Sequence, residues 1–227
     1  MTDHPDRPGD DAGLAASDSL RLIREQQERA RTALEPDARA LYGVWGVAWL
    51  AGYLVLWFST QGREQPEPWA YWVFAGALAA AVVFTMVHTM SRTAGTRGVS
   101  ARAGAMYGWS WMLGFLTFSM FLGGLARAGA DGEIMGLASN GGACLVVGLL
   151  YLGGAVAFGE RSLFVLGAWI LLVGAVATLV GLPLTYLVMA FAGGGGFLVM
   201  AVVEHLRVAR RRRQPGSRST DAEVGRG

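Results

Sequence analysis

The stretch LTYLVMAFAGGGGFLVMAVVEH, residues 184–205, contains no charged residue before Glu204. A helix of about 20 apolar residues is long enough to cross the hydrocarbon core of a bilayer, so this stretch predicts a membrane span. Near its middle lie four consecutive glycines, Gly193 to Gly196. Glycine costs about 1 kcal/mol relative to alanine in a helix interior. The stretch therefore indicates a membrane helix and requires a reason for its glycines.

Five further apolar segments precede this one, separated by short stretches rich in Gly, Pro, Arg and acidic residues. The six predicted spans cover approximately residues 40–58, 69–90, 105–126, 133–158, 162–182 and 184–205. Charged residues make up 16% of the chain, against about 25% in soluble domains. We therefore predict an all-α fold, a polytopic membrane bundle of six transmembrane helices over residues 37–206.

The arginines predict the orientation of the bundle. They are frequent in the amino-terminal arm, the second connection and the tail, whereas the first and third connections have only Arg63 and Arg127. Cytoplasmic loops carry the excess of basic residues, so both termini are expected in the cytoplasm. We expect a multi-pass protein of the bacterial plasma membrane.

Polar segments flank the bundle. Residues 1–36 are predicted to form a cytoplasmic arm with a short amphipathic helix at about 18–35, and residues 207–227 an Arg-rich disordered tail. The arm helix is either solvated, or docks on lipid or on a cytoplasmic partner. The tail arginines either only fix orientation or contact lipid headgroups; these are Arg210, Arg211, Arg212 and Arg213.

Groups that carry chemistry are scarce. No acidic or basic residue lies in the interior of a predicted span, and the single cysteine, Cys144, cannot form an intrachain disulfide or a zinc site alone. Ser139 and His205 are expected on the order of 20 Å apart in depth, too far for a serine and its base. We therefore expect no enzyme and no cofactor. The net charge of +2 gives no support for nucleic-acid binding.

A weak internal repeat marks the candidate functional residues. WGVAWLAGYL at 45–54 matches YGWSWMLGFL at 107–116, and span five carries a shorter echo. The returning spans carry small residues at FAGA (74–77), SNGGA (139–143) and FAGGGG (191–196). The candidates for a packing surface or a substrate path are Gly193, Gly194, Gly195, Gly196, Ser139, Asn140, Gly141, Gly142, Trp49, Trp111 and Trp169.

The glycine quartet has two interpretations. Because lipid cannot hydrogen-bond loose backbone, the helix either stays intact or unwinds only where protein or water covers it. An intact helix would offer a flat face for close packing against a tryptophan-bearing span. An unwound helix would offer a binding site.

Five segments, SLRLIREQQ, YGVWGVAWL, RAGAMYGWSW, LGAWILLVGAV and YLVMAFAGGGGFLV, resemble a family of uncharacterised actinobacterial six-span membrane proteins, often labelled only as transporters or hypothetical membrane proteins. The resemblance implies location and topology, and it carries no functional residues.

Two functions remain open from the sequence. The first is a small transporter or permease-like component for a neutral or apolar solute, acting alone, as a homo-oligomer, or with a separate cytoplasmic ATPase. The second is a non-transporting membrane scaffold or sensor whose arm and tail bind a cytoplasmic regulator. In either case the lipid bilayer surrounds the bundle.

Overall fold

The computed structural model describes residues 37–63, 65–93 and 99–213, together with Ser19, Arg21, Leu22 and Gln26. These four isolated residues are helical. The predicted arm helix at 18–35 otherwise lies outside the described residues, as does the part of the predicted tail beyond residue 213.

The described chain is helical, without a strand. Its helices are α1 (Ala38–Ser59), α2 (Pro68–Thr93), α3 (Val99–Arg127), α4 (Gly132–Phe158), α5 (Arg161–Val180), α6 (Leu184–Val188) and α7 (Gly195–Arg213), with a π-helical segment (Met189–Gly194) between the last two. We call α6, the π-helical segment and α7 together the sixth span. Six stretches of the described chain are long and apolar enough to cross a membrane, which confirms the predicted all-α membrane bundle.

The chain divides into two compact units. The first consists of Met1–Pro36 and Val87–Thr96, and its described part includes the end of α2, where the Ser91 hydroxyl donates to the His88 carbonyl oxygen at 2.9 Å. The second consists of Asp37–Met86 and Arg97–Gly227. All the packing described below lies within the second unit.

Carboxylate caps begin two of the helices. Asp131 accepts a hydrogen bond of 2.8 Å from the Ile134 amide at the start of α4. Asp37 accepts one of 3.0 Å from the Arg39 amide at the start of α1. The Arg39 guanidinium also donates two hydrogen bonds to the same carboxylate, and this pairing lowers the pKa of Asp37 to about 2. Both caps satisfy amide groups that a helix start leaves open.

Four spans form the centre of the second unit. α1 packs principally against the sixth span, the sixth span also contacts α5, and α5 forms a close pair with α4. The only strong packing of α3 among the described helices is against α4. α2 touches α1 through Phe74 and through a hydrogen bond from the Trp45 indole to the Thr85 hydroxyl, 3.0 Å long.

The two outer helices are much less covered than the central four. In the most apolar part of α3 none of the residues is buried, and in α2 only 11% are, compared with 39% in α1. Apolar side chains such as Trp72, Met112 and Met120 are therefore exposed to the surroundings of the bundle, as membrane-facing side chains are expected to be.

Glycines let α4 and α5 approach closely. A Cβ atom built on Gly167 would lie 2.9 Å from the carbonyl oxygen of Gly148, and one on Gly148 would lie 3.0 Å from that of Gly167. Gly174 of α5 likewise packs against Cys144. Small residues that bring backbones together are the usual basis of helix packing in membranes, where the hydrophobic effect does not drive it.

A continuous row of aromatic rings runs from α3 through α4 and the sixth span to α1. Ring centroids of neighbours in the row lie between 5.3 and 6.5 Å apart, mostly edge to face. Such pairs each contribute about 0.5–1.5 kcal/mol beyond their burial. We call these residues the aromatic row; in order they are Phe158, Tyr107, Trp111, Tyr151, Phe197, Trp49, Tyr53 and Tyr186.

Candidate functional site

The π-helical segment Met189–Gly194 is the main irregularity within the described spans. At its end the Gly195 amide donates to the carbonyl oxygen of Ala190, five residues back, and also to that of Ala192. The path along the helix from Leu184 to Gly194 is about 15 Å, half of a hydrocarbon core about 30 Å thick. Short π-helical turns within α-helices occur frequently at functional sites.

The backbone at the glycine quartet differs both from a regular α-helix and from an unwound one. The sixth span is neither a regular α-helix throughout nor unwound. It widens by a π turn that begins before the glycines and ends at Gly194, with α7 starting at Gly195.

Trp169 of α5 completes the hydrogen bonding of the π-helical segment. Its indole nitrogen donates to the carbonyl oxygen of Ala192 at 2.8 Å. Gly196 lies against the same indole, so that a Cβ atom there would be 2.7 Å from Cδ1 of Trp169. The absence of a side chain at Gly196 thus makes room for the indole that reaches Ala192.

Of the other glycines in the quartet, two pack against α1 and one has no neighbour at the position of a side chain. A Cβ atom on Gly193 would lie 2.8 Å from Cε3 of Trp49, and one on Gly194 would lie 2.6 Å from the backbone nitrogen of Leu50. Gly195 has nothing within 4 Å of the same position. Three glycines therefore have packing partners on α1 or α5, and one faces open space.

The three candidate tryptophans have different environments. Trp49 is buried in the aromatic row, with its ring 5.4 Å from that of Phe197. Trp169 is 42% exposed and binds the π-helical segment. Trp111 lies on α3, with its ring 5.6 Å from that of Tyr151 on α4. The described contacts bring Trp49 and Trp169, but not Trp111, to the glycine quartet.

The structure places the second small-residue cluster, Ser139 to Gly142, against other neighbours. The Asn140 amide donates to the Gly136 carbonyl of its own helix at 2.7 Å. Gly141 packs against Thr178 of α5, and Gly142 against Phe118 of α3. Ser139 is half-buried on the same helix. No described contact joins this cluster to the glycine quartet.

The candidate lipid-binding arginines lie at the end of α7. Arg210 is exposed, and the backbone of Arg211 to Arg213 continues the helix, while their side chains lie outside the described residues. The helix thus extends past the predicted end of the span at residue 205.

Sequence reasoning missed two buried contacts beside the π-helical segment. The Cys144 sulfur lies 3.7 Å from the Met189 sulfur, and both residues are fully buried. The Thr185 hydroxyl lies 2.8 Å from the Ala177 carbonyl oxygen and 2.9 Å from that of Gly181. Thr185 lies two residues after Pro183 of the GLP connection, and a hydroxyl at that place was the one available signal, since polar residues within spans need partners.

The site offers neutral groups for recognition. Within the described part of the chain, no group of three or more His, Cys, Asp or Glu residues is arranged to hold a metal ion. The ion pairs among the described residues lie away from the π-helical segment: Asp37 with Arg39 at the start of α1, Arg63 with Glu67 between α1 and α2, and Glu204 with Arg207 within α7. Beside the π-helical segment the polar atoms are a carbonyl oxygen, an indole nitrogen and backbone amides.

No known protein family matches this chain, and neither a curated protein nor a solved structure is significantly similar to it. Its likeness to actinobacterial six-span proteins therefore stays a prediction from the sequence segments.

Proposed function

We propose that this integral membrane protein is a small permease-like component that lets a neutral or apolar solute pass beside the π-helical segment of its sixth span. The observation that carries the proposal is the hydrogen bond between Trp169 and Ala192. Through this bond, a side chain of α5 holds a backbone carbonyl group of the sixth span, at a depth that we propose is the middle of the membrane. Membrane transporters commonly bind their substrates near the midplane where a helix is irregular.

The chemistry of the surroundings favours an uncharged solute. A charge in the middle of a membrane is costly unless a partner of opposite charge is present. The described residues around the π-helical segment supply Trp49, Val173, Trp169 and glycine backbone. Such a lining offers apolar contact and a few neutral hydrogen-bonding groups, which suit a small alcohol, amide or apolar molecule.

The bacterial plasma membrane and the cytoplasmic termini belong to the same proposal. They are supported by the distribution of arginines, which favours the arm, the second connection and the tail. The sequence resemblance to actinobacterial membrane proteins agrees with this location.

Reconstitution tests the proposal with a matched pair of variants. The full chain in proteoliposomes is assayed for the uptake of glycerol, urea and a small apolar fluorophore, with protein-free liposomes as the baseline. Gly195 and Gly76 both have nothing within 4 Å of a built Cβ atom, so the two positions are matched in the space around that atom. Gly195→Leu places its side chain beside the π-helical segment, whereas Gly76→Leu places it on α2.

We expect uptake of at least one probe above the baseline, its loss in Gly195→Leu, and normal uptake in Gly76→Leu. Uptake equal to protein-free liposomes for every probe contradicts a permease. Equal uptake by the parent and by correctly inserted Gly195→Leu contradicts a path at this segment.

A further inference from the structure

We propose that Trp169 is a latch that fixes the sixth span in its π-helical register, and that loss of its indole hydrogen bond lets Met189–Gly194 return to an α-helix and turns α7 relative to α6. This inference does not rest on the proposed transport function, because it concerns the conformation of the span with no solute present.

The first step of the argument is the hydrogen bonding of Ala192. In a regular α-helix its carbonyl oxygen would accept from the Gly196 amide, four residues on. Here the Gly195 amide donates to the carbonyl oxygens of both Ala190 and Ala192. The indole nitrogen of Trp169 is a further donor to the Ala192 carbonyl oxygen, at 2.8 Å. Water is not available in a bilayer core to replace a missing donor. The indole therefore adds to a carbonyl oxygen of the π-helical segment a hydrogen bond that water could not supply there.

The second step is the room made for the indole. Gly196 lies directly against it, and a Cβ atom on Gly196 would be 2.7 Å from its Cδ1 atom. Since Trp169 is 42% exposed, its ring is not enclosed on all sides. The contact with Gly196 and the bond to Ala192 both hold the indole against the sixth span.

The third step is the geometric consequence of losing the π turn. Each residue of an α-helix advances it by about 100°, and the wide turn holds about one residue more than an α-helical turn. Conversion of the same residues to an α-helix therefore rotates everything that follows by about that angle. Phe197 would then leave its place between Trp49 and Tyr151, where the ring centroids lie 5.4 and 6.2 Å away. The aromatic row holds α7 in the π register from one side and Trp169 holds the segment from the other.

Spin-label distances in lipid nanodiscs test the latch. Cysteines replace the exposed residues Phe164 on α5 and Val202 on α7, 57% and 58% exposed, in a Cys144→Ala background. The distance between the two labels is then measured in the parent, in Trp169→Phe and in Gly196→Ala. Trp109→Phe is the matched control, because it also changes an indole to a phenyl ring but lies exposed on α3 and outside the aromatic row.

We expect one distance population in the parent and in Trp109→Phe, and a second, displaced population in both Trp169→Phe and Gly196→Ala. The two variants break the same bond from opposite sides, so they should produce the same displaced distance. A distribution identical to that of the parent in both variants overturns the latch.

A second measurement covers the case in which the variants fail to fold. In the unmodified chain, hydrogen exchange of the tryptophan indole protons is followed by NMR, with Trp169→Phe used only to assign the resonance. The latch predicts that the Trp169 indole proton exchanges slowly, although the side chain is partly exposed. Exchange as fast as that of the exposed indole of Trp72, which is 79% exposed, contradicts it.

Discussion

The backbone of Gly194 lies directly on that of Leu50: a Cβ atom built on Gly194 would come within 2.6 Å of the Leu50 amide nitrogen. The same atom would be 3.0 Å from the Gly46 carbonyl oxygen. Both neighbours are backbone atoms of α1, which cannot move aside as a flexible side chain can. The next residue, Gly195, has nothing within 4 Å of the corresponding position.

Alanine at these two adjacent positions should therefore have opposite effects. We expect Gly194→Ala to lower the free energy of unfolding by about 1–3 kcal/mol, the usual cost of overpacking. Gly195→Ala should leave it unchanged or raise it by up to about 1 kcal/mol, since alanine is the better helix former. Reversible unfolding in mixed detergent micelles measures both. Equal effects of the two variants would show that Gly194 does not lie against α1.

The contact between α4 and α5 gives a second matched pair. In Gly167→Ala the new methyl group would meet the Gly148 carbonyl oxygen at 2.9 Å and the Leu152 amide nitrogen at 3.1 Å. The helices must separate, and we expect a loss of about 1–3 kcal/mol. Gly153→Ala on α4 has nothing within 4 Å and serves as the control. Both are measured in the same unfolding assay, and a stable Gly167→Ala protein would contradict the close approach.

The hydrogen bond between Trp45 and Thr85 is expected to couple α1 to α2. Trp45→Phe removes the indole donor and Thr85→Val removes the hydroxyl, which also donates to the Ala81 carbonyl at 2.8 Å. In a double-mutant cycle we expect a coupling of about 0.6 kcal/mol and no more than about 1.7 kcal/mol, the range found between membrane helices. If the two single substitutions changed the free energy of unfolding in a strictly additive way, the bond would contribute nothing to the packing of α2.

The ion pair between Asp37 and Arg39 predicts a pH dependence at the start of α1. The hydrogen bonds from Arg39 lower the pKa of Asp37 to about 2 in the folded protein, below the value of about 3.9 in an unfolded chain. The stabilisation is therefore complete above about pH 4 and is lost as the pH falls through about 2. Asp37→Asn keeps a capping side chain but has no carboxyl to titrate.

We accordingly expect the parent to be more heat-stable than Asp37→Asn at pH 5, with the difference shrinking between pH 4 and pH 2. Thermal unfolding of both proteins across this range measures it. A difference that stays constant down to pH 2 would show that the charge of Asp37 does not stabilise α1.

Thiol labelling tests the burial of Cys144 and the orientation of the bundle. Cys144 is fully buried, so a maleimide should modify the native chain only after denaturation.

In a Cys144→Ala background, Gln61→Cys in the first connection should react with an impermeant maleimide on intact cells. Glu160→Cys in the fourth connection should react only after lysis, and the reverse order would invert the proposed topology.

The fold class could be predicted because membrane spans are local properties of the sequence. The run from 133 to 158 and α4, Gly132–Phe158, coincide within a residue because Asp131 and Gly159 mark the ends. The predicted span 105–126 is shorter than α3, Val99–Arg127, since a helix does not have to end where its apolar part ends. Residues near Arg102 continue the helix without belonging to the apolar run.

The candidate site was less accessible to sequence reasoning. FAGGGG and SNGGA look alike, yet one contacts α1 and α5 and the other α5 and α3, because a repeated pattern does not specify which neighbour a helix meets. The π turn depends on an indole that arrives from another helix. No pattern within residues 184–205 contains that information.

The pairing of α1 with the sixth span sets a condition on how the protein is made. α1 leaves the ribosome well before the sixth span, against which it principally packs, and pairing of distant segments slows folding. Until residues 184–205 have been synthesised and inserted, Gly46, Trp49 and Tyr53 have to remain in the membrane without their main partners. α4 and α5, which are consecutive, can already associate during that interval. The packing of α1 is thus completed only when the sixth span arrives, and a chain cut short before that span would leave α1 open to quality-control proteases.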